Sequence, residues 1–206
     1  MAMRAPPIKF DAADHERFSA EFDAVVPERP EEGVAASLAI QWVDSPVGPL
    51  LIGAGDDAIV LLEFCDPDGL AARLARIRKH FGRALIRRDH PLLTRLRIQL
   101  GEYFAATRTT FDVPLSFPGS GFQERVWSAL RTIPYGATCS YGDIAKQLGD
   151  ANMMRAVGAA NGANPIAIVI PCHRVVNANG DLGGFGGGLW RKQILLDLER
   201  GQGSLF

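Results

Sequence analysis

Between Ile168 and Val176 the chain reads Ile-Val-Ile-Pro-Cys-His-Arg-Val-Val. A cysteine, a histidine and an arginine follow one another directly after a proline. A thiol reacts as its thiolate, which a neighbouring imidazole or guanidinium favours, so Cys172 is a candidate nucleophile for covalent chemistry. The competing reading, natural for a cysteine taken alone, is a small buried hydrophobe. The β-branched run ahead of it predicts a strand from Ile168, and Pro171, with φ fixed and no backbone donor, should end regular pairing there.

The elements around this stretch are mostly helical. Phe122 to Ile133 places Val126, Trp127, Leu130 and Ile133 on one face, and Pro134-Tyr135-Gly136 ends it. Ser140 can cap a helix from Tyr141 to Leu148, which Gly149 stops. Asn152 is the expected cap of the next, from Met153 to about Ala163. Two short helices joined by a tight turn form a helix-turn-helix pattern. The second carries Arg155 among small residues, so it can lie close to another surface. Pattern alone favours packing against the core over binding in a nucleic-acid groove. Beyond Val176, five glycines surround Phe185 without the spacing of a phosphate loop. They mark mobility or a glycine-walled pocket beside Cys172. A final helix, Leu189 to Arg200, should turn Ile194, Leu195 and Leu198 inward, with Glu199 near its end.

The first half reads differently. Residues 1–36 form an acidic, proline-punctuated extension in which Asp11 to Val26 can make one helix, docked or frayed, with His15 solvated. From Ser37 to Phe64 alternation and turn residues predict a three-stranded antiparallel meander. A helix from Gly69 to His80, a strand at Ala84 to Ile86 and a helix from Pro91 through Phe104 follow. The arginines of these helices read as a solvated face. The resulting domains are 37–113, a linker at 114–121 rich in proline and glycine, and 122–206.

Composition sets limits. At 206 residues the chain can hold one or two domains, and a net charge of −1 excludes a protein coated in positive charge, though not a local basic face. No apolar run is long enough to span a bilayer. Three widely spaced cysteines argue against a disulfide framework and for a reducing, cytoplasmic setting. The histidines and cysteines show no zinc spacing, and no cofactor or metal is expected.

The Pro-Cys-His-Arg-Val stretch resembles the signature of the O6-alkylguanine-DNA alkyltransferase family. Ile133-Pro134-Tyr135-Gly136, Ser140-Tyr141, Arg155-Ala156-Val157-Gly158, Asn164-Pro165 and Gly187-Gly188-Leu189 agree with it in order and spacing. The similarity is strong from Phe122 to Glu199 and weaker over Ser37 to Val113. It implies an α/β first domain of ribonuclease H-like type, with a small antiparallel sheet and helices. The second domain would be mostly helical, of winged-helix or helix-turn-helix type. It implies a monomer that acts on double-stranded DNA, extrudes an O6-alkylated guanine (O4-alkylthymine being a further candidate) and moves the alkyl group irreversibly onto Cys172. By the same resemblance His173 activates the thiol through a water and Glu199 orients the histidine. Tyr141 turns the nucleotide and protonates the leaving guanine, and Arg155 fills the vacated space. Ala156 and Gly158 lie against the minor groove. Asn164 ties the helix-turn-helix to the active-site turn, while Val175, Phe185 and Gly186 form the base pocket.

Two alternatives differ in class. Alkyltransferase-like relatives bind lesions without chemistry, and they replace the nucleophilic cysteine that this chain keeps. A transcription regulator built on the helix-turn-helix would need no reactive thiol.

Overall fold

The computed structural model describes residues 10–30 and 36–201. Pro6, Pro7 and the tail beyond Gly201 lie outside them. The chain divides into two compact units, one of residues 1–101 and 113–115, the other of 102–112 and 116–206.

The first unit is built on β1 (Ser37–Val43), β2 (Leu50–Ala54), β3 (Ile59–Phe64) and β4 (Ala84–Ile86), in the order β3-β2-β1-β4. The first three pair antiparallel, with Trp42 opposite Leu51 and Ile52 opposite Leu62. β4 pairs parallel to β1, Leu38 with Leu85, so the sheet is mixed rather than wholly antiparallel. A whole helix, α2 (Leu70–Phe81), separates β3 from β4 and allows the chain to return in the same direction, which a tight turn cannot do. Leu38, Ile40, Leu51 and Leu61 meet Leu70, Leu74 and Ile77 of α2 in one apolar cluster.

The helix α1 (Ala12–Val25) completes that cluster. Asp11 caps it by accepting from the Asp14 N–H at 2.9 Å, and Phe18, Phe22 and Val26 are sealed from water. The helical part of the predicted extension is therefore docked here, and each aromatic contributes about 2–3 kcal/mol of apolar burial. His15 stays exposed, as expected, but its ring also packs edge-on to Trp42 with centroids 4.8 Å apart. On the other face of β1, Gln41 accepts a hydrogen bond from Arg97 of α3 (Pro91–Phe104). After α3 the chain comes back to the first unit only at 113–115, where the Ile59 N–H donates to the Pro114 carbonyl at 2.9 Å.

The second unit is mostly helical: α4 (Gly121–Leu130), α5 (Tyr141–Gln147), α6 (Met154–Gly162) and α7 (Leu189–Glu199). Its only strands are β5 (Cys139–Ser140) and β6 (Val175–Val176), two residues each and parallel, among the described residues. Ser120 caps α4 in a reciprocal box with Gln123, and Ser140 caps α5 in another with Asp143. The expected cap of the next helix is displaced. A 3-10 turn, Ala151–Met153, precedes α6, and Asp150 caps it by accepting from the Asn152 N–H. α4 and α6 are tied by the Trp127 indole N–H, which donates to the Ala160 carbonyl at 2.8 Å.

Candidate active site

The run Ile168-Val169-Ile170 is not a strand. It lies in a tight turn in which Val169 N–H donates to Ala167 O and Ile170 N–H to Ile166 O, with Ile168 at φ 68°. Asn164 makes this possible: its Oδ1 accepts from the Ile166 N–H at 3.0 Å and its Nδ2 donates to the Ile170 carbonyl at 2.8 Å. One side-chain amide thus replaces the pairing that a strand would supply. Ile166, Ile168 and Ile170 keep their burial without a ladder.

Pro171 hands the chain to a single 3-10 turn, Cys172–Arg174, all three of whose side chains are buried. Cys172 is 5% exposed. Burial pushes its thiol up, while the Asn164 amide, the Lys192 ammonium and the backbone N–H groups of Cys172 and His173 pull it down. Burial outweighs these donors, so the resting thiol stays above its ordinary value and the donors only limit the rise.

Behind Cys172 lies Glu199, the last residue of α7, whose carboxylate collects donors from four residues in three segments. His173 Nε2 and the Tyr103 hydroxyl donate to Oε1, each at 2.8 Å. Arg174 donates Nη2 to Oε1 at 2.9 Å and Nε to Oε2 at 2.8 Å, and the Gly136 N–H reaches Oε2 at 3.0 Å. Burial alone would raise this carboxyl; the His173 and Arg174 hydrogen bonds outweigh it and hold it at about 2. The ionised carboxylate fixes the histidine tautomer, because Nε2 must carry the proton. Burial also pushes the His173 imidazole down, so the ring is neutral and Nδ1 offers a lone pair. Gly136 has φ +75°, and a Cβ there would stand 3.0 Å from the Glu199 carbonyl, so the turn after α4 needs glycine.

Lys192, one face-repeat before Leu195 and Glu199 on α7, is fully buried and donates Nζ to the Val175 carbonyl at 2.5 Å and to the Leu182 carbonyl. Burial brings its ammonium down to about 8, against a pull upward from Cys172. Tyr103 and Lys192 were not anticipated as site residues, and Arg174 was expected beside the thiol rather than on Glu199. Arg174 is part of the signature itself, and Lys192 falls at the i, i+3, i+7 spacing of the buried stripe of α7. Tyr103 carries no such signal, being 96 residues from its partner.

A cleft of about 540 Å³ adjoins this cluster, lined by Tyr141, Arg155, Gly158, Asn161, Phe185 and Gly186 among others. The Tyr141 hydroxyl donates to the Gly184 carbonyl at 3.2 Å, and burial raises its phenol, so it stays protonated. Gly183, at φ +67°, would meet Tyr141 and Asn177 with any Cβ. Arg155 and Ala156 are exposed together on α6. Of the residues singled out from sequence, Cys172, His173 and Glu199 form one cluster with Asn164 behind it, and Tyr141, Arg155, Gly158, Phe185 and Gly186 share the cleft. Val175 is fully buried on β6, its carbonyl taken by Lys192.

Residues 121–201 match the DNA binding domain of 6-O-methylguanine DNA methyltransferase, and residues 39–117 match its ribonuclease-like domain. The chain belongs to this family. A methylated-DNA–protein-cysteine methyltransferase of Mycolicibacterium paratuberculosis is 49% identical over 160 residues, covering 77% of this chain and 90% of the relative. One of Methanosarcina acetivorans is 40% identical over 163 residues, 76% of this chain and 94% of that one. Among solved structures, Mycobacterium tuberculosis OGT in complex with DNA is 43% identical with a TM-score of 0.67, covering 81% of this chain and 94% of its own. The family's helical DNA-binding region contains the whole cluster around Cys172 apart from Tyr103, and α1 precedes both matched regions.

Proposed function

We propose that the chain repairs O6-alkylguanine in double-stranded DNA by transferring the alkyl group irreversibly to Cys172. The observation that carries this reading is the buried Cys172-His173-Glu199 cluster beside a cleft that Arg155 and Tyr141 line. The damaged base must leave the stack before sulfur can reach its alkyl carbon, at a cost of a few kcal/mol. Arg155, exposed on α6, fills the space the base vacates, and the small residues Ala156 and Gly158 let the helix approach the minor groove. The extruded base enters the cleft between Tyr141 and the glycines around Phe185, with the Gly186 backbone at its edge.

His173 takes the thiol proton through a water, held in its tautomer by Glu199. The thiolate then attacks the alkyl carbon: the S–C bond forms, the C–O6 bond breaks, and its electron pair passes to guanine. The Tyr141 phenol supplies a proton to the departing base. The cysteine ends as a thioether, so each molecule acts once. The chain needs no cofactor for this, and its work is wherever DNA is, in the cytoplasm of a bacterial cell.

The deciding experiment is intact-protein mass spectrometry after mixing with an oligonucleotide that contains one O6-methylguanine. A gain of about 14 Da, mapped to the Cys172 peptide, is the expected result. Binding without any mass change would replace transfer with lesion recognition alone.

A further inference from the structure

Two buried side-chain atoms of the second unit have no hydrogen-bond partner among the described residues, Asn161 Oδ1 and His173 Nδ1. Both belong to groups attached to the acceptor cysteine. Asn161, 4% exposed on the inner face of α6, donates Nδ2 to the Cys172 carbonyl at 3.3 Å, and His173 is the next residue in the chain. The orientation of each is fixed. Only the amide NH₂ can face a carbonyl, so Oδ1 is turned away with its lone pairs unused. His173 gives its one N–H to Glu199, so Nδ1 is an acceptor as well. Two acceptors cannot satisfy each other, and an unmet buried acceptor costs about 1–3 kcal/mol. One water between them would meet both needs, donating a hydrogen to each and accepting from the thiol.

We propose that Asn161 is a positioning residue for thiol ionisation, its Nδ2 fixing the Cys172 carbonyl and its Oδ1 orienting the water between Cys172 and His173. This rests on the reading of Cys172 as the alkyl acceptor. As the S–H bond breaks, its proton goes to the water oxygen while one of the water's own hydrogens goes to Nδ1. Thiolate, water and an imidazolium still bonded to Glu199 result. The water now accepts from Nδ1–H and donates to the thiolate, and its hydrogen bond to Asn161 serves both states. The other charged or titratable groups facing the thiol and imidazole are Tyr141 of α5, Lys192 and Glu199 of α7, and Arg174. A change at Asn161 leaves all of them in place.

The test is the rate of Cys172 carbamidomethylation by iodoacetamide across pH in the full chain, peptide-mapped to separate it from Cys65 and Cys139. Asn161→Leu should react about tenfold more slowly at neutral pH, the worth of one hydrogen bond to a charged network, and should rejoin the wild type at alkaline pH. Asn161→Asp keeps the shape and an acceptor but sets a carboxylate beside the thiol, and its profile should move further toward alkaline pH. Overlapping profiles, or a loss equal at every pH, would overturn the proposal. Should the leucine variant fail to fold, the aspartate profile decides by itself. The probe needs no DNA, so a wild type that takes no methyl group from the oligonucleotide would sink the repair reading while this profile still stands or falls separately.

Discussion

Among the described residues, the first unit removes almost only hydrocarbon from water, with Gln41 and Gln99 its buried polar side chains, whereas the second buries Asn161, His173, Arg174, Arg191, Lys192 and Glu199. The two kinds of burial obey different rules. Apolar contact is non-directional and additive in area, so α1 needs only Phe18, Phe22 and Val26 on one face to join the core. Buried ions must each be matched by partners in fixed geometry, and such a cluster returns little net stability over a hydrophobic replacement. Under the proposed function its presence in the second unit serves chemistry: it holds an ionised carboxylate, a neutral imidazole and a donor-lined thiol in one place.

The contrast would break first at the apolar end. Phe22→Ala should cost about 4 kcal/mol in chemical denaturation, the usual penalty for an aromatic-sized cavity, while the folded protein alkylates Cys172 at the wild-type rate. A slowed transfer in that variant would show that α1 serves the site and not only the core. Glu199→Gln should cost somewhat less, about 3 kcal/mol, because Arg174 keeps one acceptor but loses its counter-charge. Since Glu199 sits at about 2 against an ordinary 4.5, that contribution is complete above 4.5 and is lost as pH falls towards 2. The stability gap between wild type and Glu199→Gln should close over that window. The same variant should move the rate–pH profile of alkylation to higher pH; an unmoved profile would mean that the carboxylate is structural alone.

How much of this could be read beforehand follows the same division. Helices with one apolar stripe, such as α1, α2 and α4, are legible because their burial depends on local periodicity. Cys172, His173 and Glu199 were legible through a signature and its spacing. The Ile168 run misleads because β-branched residues favour any buried extended backbone, and the Asn164 amide that closes the turn acts from outside the run. β4 joining parallel depends on a crossover that no local pattern encodes. Tyr103 and Arg174 meet Glu199 across 96 and 25 residues, so their shared carboxylate is visible only in three dimensions.

The smallest expected effect lies on the exposed side of the second unit, where α6 carries Arg155 into open solvent while Val157, Ala160 and Asn161 face inward. One helix thus has a face toward the thiol and an exposed face that the proposed function assigns to DNA, and the two can be separated. Arg155→Ala removes no buried contact, so stability should change by less than about 0.5 kcal/mol. In duplex DNA the space left by the base would then go unfilled, and transfer should slow by about tenfold to a hundredfold, part of the unstacking cost. Free O6-benzylguanine has no stack to leave, and its reaction with Cys172 should be unaltered. Equal losses on both substrates would place Arg155 in the chemistry of the cleft rather than in base displacement, and would join the exposed face of α6 to the buried cluster that the comparison keeps apart.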